Sequence, residues 1–262
     1  MSCLNICSLR SSSKGNSTLV FTEKTKILID CGISCRMTVS ALSDIGVDPS
    51  EIDAIFVTHE HCDHIKGINL FSKNFNIPVY ANSSTWSAMR ENLGCVLEEN
   101  VCIIEENAVS IGDIRVCAFP VSHDAVCPVG YTLVSGCEKV SVATDMGIID
   151  ERVINALKGS DKVLLEANHD LNLLSMSSYP EPLKRRIKGD RGHLCNEKAG
   201  EVALSLLNSG TKKFLLGHLS QENNNPHLAY ATVRESLCRL GAKEGADFVL
   251  KMTFPEKISE II

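Results

Sequence analysis

Hydrophobic and polar positions change their period along this chain, and the changes separate strands from helices. Short apolar segments at Cys3–Leu9, Ser17–Thr22 and Lys26–Asp30 read as strands, and Ser11-Ser12-Ser13-Lys14-Gly15-Asn16 joins the first two as a turn. Ser34 caps a predicted helix running to about Ile45, where Gly46 stops it. A buried strand follows over Ile52–Thr58, then a helix over Ile65–Phe75, a short strand at Pro78–Ala81 and a helix over Ser84–Leu93. Strands crowd the next block at Val101–Glu105, Ile114–Val121, Gly130–Val134 and Val140–Thr144. Helix and strand then alternate: helices at Glu151–Leu157, Glu197–Leu207 and Pro226–Leu240, strands at Lys162–Ala167, Lys213–Gly217 and Phe248–Met252. Strands gathered in each half with helices between them predict two β-sheets packed face to face and covered by helices. With no fixed-period repeat, low-complexity tract or linker, residues 1–262 read as one α/β domain.

Bulk properties narrow the setting. A length of 262 residues can bury a substantial core. A net charge of -6 argues against a surface coated for non-specific nucleic-acid binding, though it leaves room for a local basic strip. No uninterrupted apolar run is long enough to span a membrane, and Met1–Cys7 carries no basic segment followed by a secretory core. The expectation is a cytoplasmic protein without membrane contact. The 12 cysteines show no C-x-x-C spacing, and several stand inside apolar runs such as Val116-Cys117-Ala118, so reduced thiols are expected. Cys62 and Cys195 each neighbour a candidate histidine and are read as bystanders.

Chemistry concentrates at Thr58-His59-Glu60-His61-Cys62-Asp63-His64, directly after the apolar run Asp53-Ala54-Ile55-Phe56-Val57. Three of the chain's 8 histidines and a carboxylate fall in this one loop. Imidazole and carboxylate without thiolate suit zinc, manganese or iron at a site that substrate can reach. His123, Asp145 and His218 also follow strand segments, and His193 precedes a helix. Alone, each such histidine reads as an ordinary loop residue and Asp145 as a turn or cap. Together they supply the further ligands that a two-metal site needs, on the strand-end loops of one rim.

His59-x-His61-x-Asp63-His64, followed in order by His123, Asp145 and His218, resembles the metallo-β-lactamase superfamily of binuclear hydrolases. Further segments narrow the resemblance to the YycJ/WalJ group, over nearly the whole chain. They are Ser8-Leu9-Arg10-Ser11-Ser12-Ser13-Lys14-Gly15-Asn16-Ser17, Leu28-Ile29-Asp30-Cys31-Gly32, Val121-Ser122-His123-Asp124, Ala143-Thr144-Asp145-Met146-Gly147, Glu166-Ala167-Asn168-His169-Asp170, Gly192-His193-Leu194-Cys195-Asn196 and Leu216-Gly217-His218-Leu219-Ser220. The resemblance implies an αββα sandwich, the metallo-β-lactamase fold, and a cytoplasmic nuclease with 5′-to-3′ exonuclease action on DNA. It implies one metal on His59, His61 and His123, a second on Asp63, His64 and His218, and Asp145 bridging both. Zinc and manganese are the leading ions, with iron admissible. His193 takes the place of a proton donor or oxyanion stabiliser, so His193, Asp63 and Asp145 form the catalytic set. Glu60 and Cys62 fall at variable positions and are not ligands. Cys195 stands where relatives often carry Ser.

Softer signals concern substrate. Leu183-Lys184-Arg185-Arg186-Ile187-Lys188-Gly189-Asp190-Arg191 is the one concentrated basic segment, read either as a phosphate rail or as a solvated helical face. Substrate contacts are assigned to Ser12, Lys14, Asn16, Lys184, Arg185, Arg186 and Asn224. His169 is read as a hydrogen-bond partner of a ligating imidazole, and His227 as surface. The alternatives are a hydrolase of a small phosphodiester, thioester or lactam, and a non-catalytic metal-binding regulatory protein. Di-iron relatives carry Glu at the position of His61. RNA-processing relatives carry a large domain between the Asp145 and His193 motifs, and the stretch here is too short for one. No substrate-gripping arm is evident, and the sequence leaves the oligomeric state open.

Overall fold

Strands that bury both faces read as near-continuous apolar runs, and the central strands of both sheets here do so, among them Ala54–Phe56 and Lys162–Glu166. A computed structural model describes residues 3–94, 96–105 and 107–262; Met1, Ser2, Cys95 and Glu106 lie outside them. The first sheet holds β1 (Asn5–Arg10), β2 (Ser17–Phe21), β3 (Lys26–Ile29), β4 (Ala54–Phe56), β5 (Val79–Ala81) and β6 (Val101–Ile103), in that order. It is antiparallel through β3 and parallel from β3 to β6. The second holds β7 (Val109–Ile111), β8 (Ile114–Pro120), β9 (Val129–Ser135), β10 (Glu138–Ala143), β11 (Lys162–Glu166), β12 (Lys213–Gly217) and β13 (Val249–Met252). Its order is β13-β12-β11-β10-β9-β8-β7, parallel from β10 to β13.

Between the sheets lie Ile6, Val20, Ile27, Ile29 and Phe56 from one side and Val116, Tyr131, Leu133, Val142, Leu164 and Leu215 from the other. Phe56 stacks on Tyr80 with centroids 4.7 Å apart and meets Tyr131 edge-on at 5.5 Å. Removing that ring would cost about 3–5 kcal/mol. Outside the first sheet pack α1 (Cys35–Asp44), α3 (Ile68–Phe75) and α4 (Ser83–Leu93). Outside the second pack α5 (Glu151–Leu157), α8 (Asn196–Asn208) and α9 (Pro226–Cys238). The predicted four-layer sandwich is therefore the fold. Among the described residues, no helix is long and apolar enough to cross a membrane.

Three local expectations change. The helix expected over Ile65–Phe75 is two pieces, α2 (Cys62–Ile65) and α3, parted at Gly67. A Cβ at Gly67 would fall 2.1 Å from the Ile33 carbonyl oxygen, so the chain can approach there only without a side chain. The strand β7 is too short to announce itself by period. The helices α6 (Leu171–Met176) and α7 (Glu181–Lys188) bury almost nothing and so lack an apolar stripe to read.

Strands β1, β3 and β4 of one sheet, and β8, β10, β11 and β12 of the other, all deliver chemistry-bearing residues from their carboxyl ends. Tyr131 donates its hydroxyl to the Val57 carbonyl at 2.7 Å and ties the sheets together at this rim.

Candidate metal centre

Among the described residues, three of the four non-glycine residues with positive φ stand at these strand ends: Asp30 (60°), Asp145 (60°) and His218 (56°). The left-handed conformation costs each about 1 kcal/mol or more, and it turns their side chains in the space of one residue into the gap between the sheets. Hydrogen bonds hold the turns. Asp30 N donates to Phe56 O at 2.8 Å, and His218 N donates to Ser11 Oγ at 2.8 Å.

The loop after β4 is fixed against its neighbours. Asn16 N donates to Asp63 O (2.8 Å) and Cys31 N to His64 O (2.9 Å). A Cβ on Gly32 would lie 1.6 Å from Asp63 O, so this close approach needs glycine. Asp30 accepts Thr58 N and Thr58 Oγ1, both at 2.8 Å, and lies 2.8 Å from His64 Nδ1. A proton on that nitrogen leaves Nε2 of His64 bare toward the centre.

The result is two triads. His59, His61 and His123 form one; Asp63, His64 and His218 form the other. His123 donates Nδ1 to the Gly192 carbonyl at 3.1 Å, which frees its Nε2. His59 Nε2 lies 3.0 Å from His61 Nδ1. Asp145 stands between the triads, 3.4 Å from His64 Nε2 through one oxygen and 3.4 and 3.8 Å from His218 and His123 Nε2 through the other. The ligand groups predicted from the sequence are thus brought together.

Two residues without an assigned role prove central. Asp30 orients His64. Glu166, fully buried at the end of β11, lies 2.8 Å from His193 Nδ1 and 3.0 Å from His218 Nδ1 through Oε1. Its Oε2 accepts Met146 N at 2.8 Å and Leu194 N at 3.2 Å. The available signal was an acidic residue closing an apolar strand, and both lie in segments quoted for the resemblance. Glu166 does what was expected of His169, whose Nδ1 is buried without a hydrogen-bond partner.

Charge sorts the triads. Burial, reinforced by His64, His123 and His61, drives His59 well below the ordinary imidazole range. Burial also lowers His123, although Asp145 opposes it. In the other triad burial is outweighed. Asp145, Asp30 and Asp63 lift His64 well above its usual value, and Asp145, Asp63 and Glu166 push His218 up to about 10. Against burial, His64 and His218 hold Asp63 and Asp145 below the usual carboxylate range, and His193 and His218 do so for Glu166. In one triad His59 and His123 therefore offer neutral imidazoles, and the other offers carboxylate charge balanced by protons that a cation can displace.

This donor set fits divalent metal. Asp145 Oδ2 and His218 Nε2 are buried with no hydrogen-bond partner. The separations of 3.4–3.8 Å are too long for hydrogen bonds. They are close to the roughly 3.3 Å that separates two ligands each about 2.0–2.1 Å from a shared tetrahedral zinc.

The substrate assignments divide. Ser12 and Asn16 are buried, with Asn16 donating to Ser12 O (2.9 Å) and Asp63 Oδ2 (3.3 Å). Asn224 spends its amide on Ala167 O, Asn168 O and Asn196. Lys184 Nζ donates to Ser175 O at 2.8 Å, with its side chain 12% exposed. These four make hydrogen bonds within the protein. Arg186 pairs with Asp124, and Arg191 donates to His123 O (3.0 Å) and Ala125 O (3.2 Å). Lys14 and Arg185 remain exposed. Glu60 accepts Val126 N at 2.8 Å, and Cys62 is exposed. Cys195 is a buried free thiol, raised by burial, and the other described cysteines are free as well.

A family model described as a beta-lactamase superfamily domain matches residues 25–218. The chain is 39% identical over 251 residues to the exodeoxyribonuclease WalJ of Streptococcus pneumoniae, covering 95% of this chain and 93% of that protein. It is 36% identical over 259 residues to the exodeoxyribonuclease YycJ of Bacillus anthracis, covering 98% of each. Among solved structures, the metallo-beta-lactamase fold protein YhfI from Bacillus subtilis matches with a TM-score of 0.71 at 15% identity, over 99% of this chain and 98% of that one.

Proposed function

The chain belongs to the beta-lactamase superfamily, in the group of the WalJ and YycJ exodeoxyribonucleases, and from that premise we propose that it is a two-metal exonuclease acting 5′-to-3′ on DNA. The observation that carries this reading is Asp145, which reaches nitrogens of both triads beside the His193–Glu166 pair. His59, His61 and His123 would hold one cation, Asp63, His64 and His218 the other, with Asp145 shared. Zinc or manganese suits these donors best. The cations, when bound, acidify a water nucleophile and neutralise charge on the phosphoryl oxygens. Asp30 and Glu166 keep His64 and His218 facing inward. Glu166 also aims His193, whose ring remains partly exposed where substrate arrives. His193 carries a proton to the departing alkoxide, and its Nδ1–H to Glu166 fixes which face of the ring it presents. Residues 1–262 act as one hydrolase domain, and the free thiols suit the cytoplasm.

A panel of end-labelled single- and double-stranded DNA and RNA, with and without a 5′-phosphate, in Mn²⁺ and in Zn²⁺, tests the reading. Shortening of DNA from the 5′ end is expected. Hydrolysis confined to RNA, to small diesters or to thioesters would refute it.

A further inference from the structure

We propose that Arg186 is a catalytic residue whose guanidinium grips the phosphoryl group undergoing hydrolysis, held in place by Asp124. The inference rests on the phosphodiesterase part of the reading above and adds to the centre a cation that the protein itself supplies.

The backbone of Arg186 is fixed beside the site. Arg186 stands in the last turn of α7, and His193 N donates to the carbonyl of its neighbour Ile187 at 2.9 Å. A Cβ on Gly192 would fall 2.3 Å from Arg186 O and 2.2 Å from Ile187 O, so only glycine lets the turn before His193 come so close. A Cβ on Gly147, just past Asp145, would fall 2.3 Å from Asp190 O, and Ser122 Oγ donates to that same oxygen at 2.7 Å. The end of α7 and the turn after it therefore pack on the turns that carry His123, Asp145 and His193. The side chain points the same way. Its Nε donates to Asp124 Oδ2, and Asp124 Oδ1 lies 3.3 Å from His123 Nε2, the nitrogen that His123 leaves free for the centre. That oxygen is buried without a hydrogen-bond partner. Asp63, of the other triad, is near enough to add to the pull of Asp124 on the guanidinium charge.

Only Nε is engaged. The two Nη groups make no hydrogen bond among the described residues, and the side chain is 53% exposed. Arg191 differs, because it gives Nε and an Nη to the carbonyls of His123 and Ala125. A guanidinium anchored at Nε presents its Nη groups as a flat fork, the shape that meets two oxygens of one phosphate. Such a fixed cation offsets the negative charge that builds on those oxygens as the diester is attacked. Arg186 donates hydrogen bonds and transfers no proton, since a guanidinium stays charged throughout the working pH range. Asp124 is its positioning residue: it holds Nε and leaves the fork free.

The test compares Arg186→Gln, Arg186→Lys and Asp124→Ala with the wild type, as full chains loaded with Mn²⁺, on 5′-phosphorylated DNA and on bis-p-nitrophenyl phosphate. The small diester carries a single phosphate, so it isolates the reacting one. Arg186→Gln should lower kcat about 100-fold on both substrates. Bound metal and melting temperature should stay unchanged, because the side chain is half exposed and is not a ligand. Arg186→Lys, which keeps the charge without the fork, should recover about tenfold of the loss. Asp124→Ala should lower kcat about tenfold on its own and cost nothing more in the Arg186→Gln protein. A raised KM for DNA with unchanged turnover of the small diester overturns the proposal, by placing Arg186 on a remote phosphate. Loss of bound metal in Arg186→Gln also overturns it, by making the residue a support of the His123 loop. A further loss from Asp124→Ala in the Arg186→Gln protein overturns the positioning through Asp124. A wild type that hydrolyses the small diester and not DNA removes the exonuclease reading, while a drop of about 100-fold on the diester upholds Arg186. Hydrolysis of neither substrate overturns both readings together.

Discussion

Replacing Glu166 by Gln keeps the shape of the side chain and removes one acceptor from a position where four N–H groups converge. The carboxylate meets His193 Nδ1 and His218 Nδ1 at 2.8 and 3.0 Å, and Met146 N and Leu194 N at 2.8 and 3.2 Å. A carboxamide has one oxygen, so whichever way it turns, its NH₂ faces two donors. Two hydrogen bonds to a charged acceptor are lost, at about 1.5–3 kcal/mol each. The total of roughly 3–6 kcal/mol is divided between fold stability and cation affinity. On the affinity side the loss should be about 10–100-fold, confined to the triad that contains His218. Calorimetric titration of chelator-stripped protein with Zn²⁺ measures it, and urea unfolding measures the remainder. Turnover at saturating metal should also fall, because His193 loses the group that aims it. Wild-type affinity with turnover within about threefold would refute the assignment of Glu166 as the positioning residue.

Asp30→Asn should weaken the Asp63–His64–His218 triad by about tenfold, while the all-histidine triad keeps its affinity in a competition titration; equal weakening of both would contradict the orientation of His64 through Asp30. His169 is lowered to about 4 by burial, so its contribution is present above its unfolded value near 6.5 and is lost as pH falls toward 4. His169→Leu should therefore lessen the drop in unfolding free energy between about pH 7 and pH 5 by about 2 kcal/mol, read as the difference between the two proteins in urea titrations. An identical drop in both would show that His169 does not titrate as its burial requires.

Most of the fold was legible because its central strands are apolar on both faces and its covering helices carry a buried stripe. Gly67 divided a predicted helix because Ile33 packs against it, a contact remote in sequence. The ligands were legible for a different reason. His59, His61, Asp63 and His64 share one loop, and that density stands out in a chain with 8 histidines. Glu166 and Asp30 were not, since one buried acid at a strand end looks like any turn residue until its imidazole partners are known. The partners within the basic segment were hidden in the same way. Lys184, Arg186 and Arg191 bond to Ser175, Asp124 and the His123 loop, and no local pattern reveals partners that arrive from other strands. The burial of Asn16 and Ser12 was not legible, because a turn rich in hydroxyls and amides says nothing about what packs over it.

The central claim is that two cations, one in each triad, are needed for DNA cleavage. The most direct test titrates metal into chelator-stripped protein while hydrolysis of 5′-phosphorylated DNA and bound metal are measured on the same sample. The account predicts no cleavage without metal, saturation of activity at two ions per chain, and no activity at any loading in a His218→Ala protein that binds one. Full activity at one ion per chain, or in the presence of excess chelator, would contradict it.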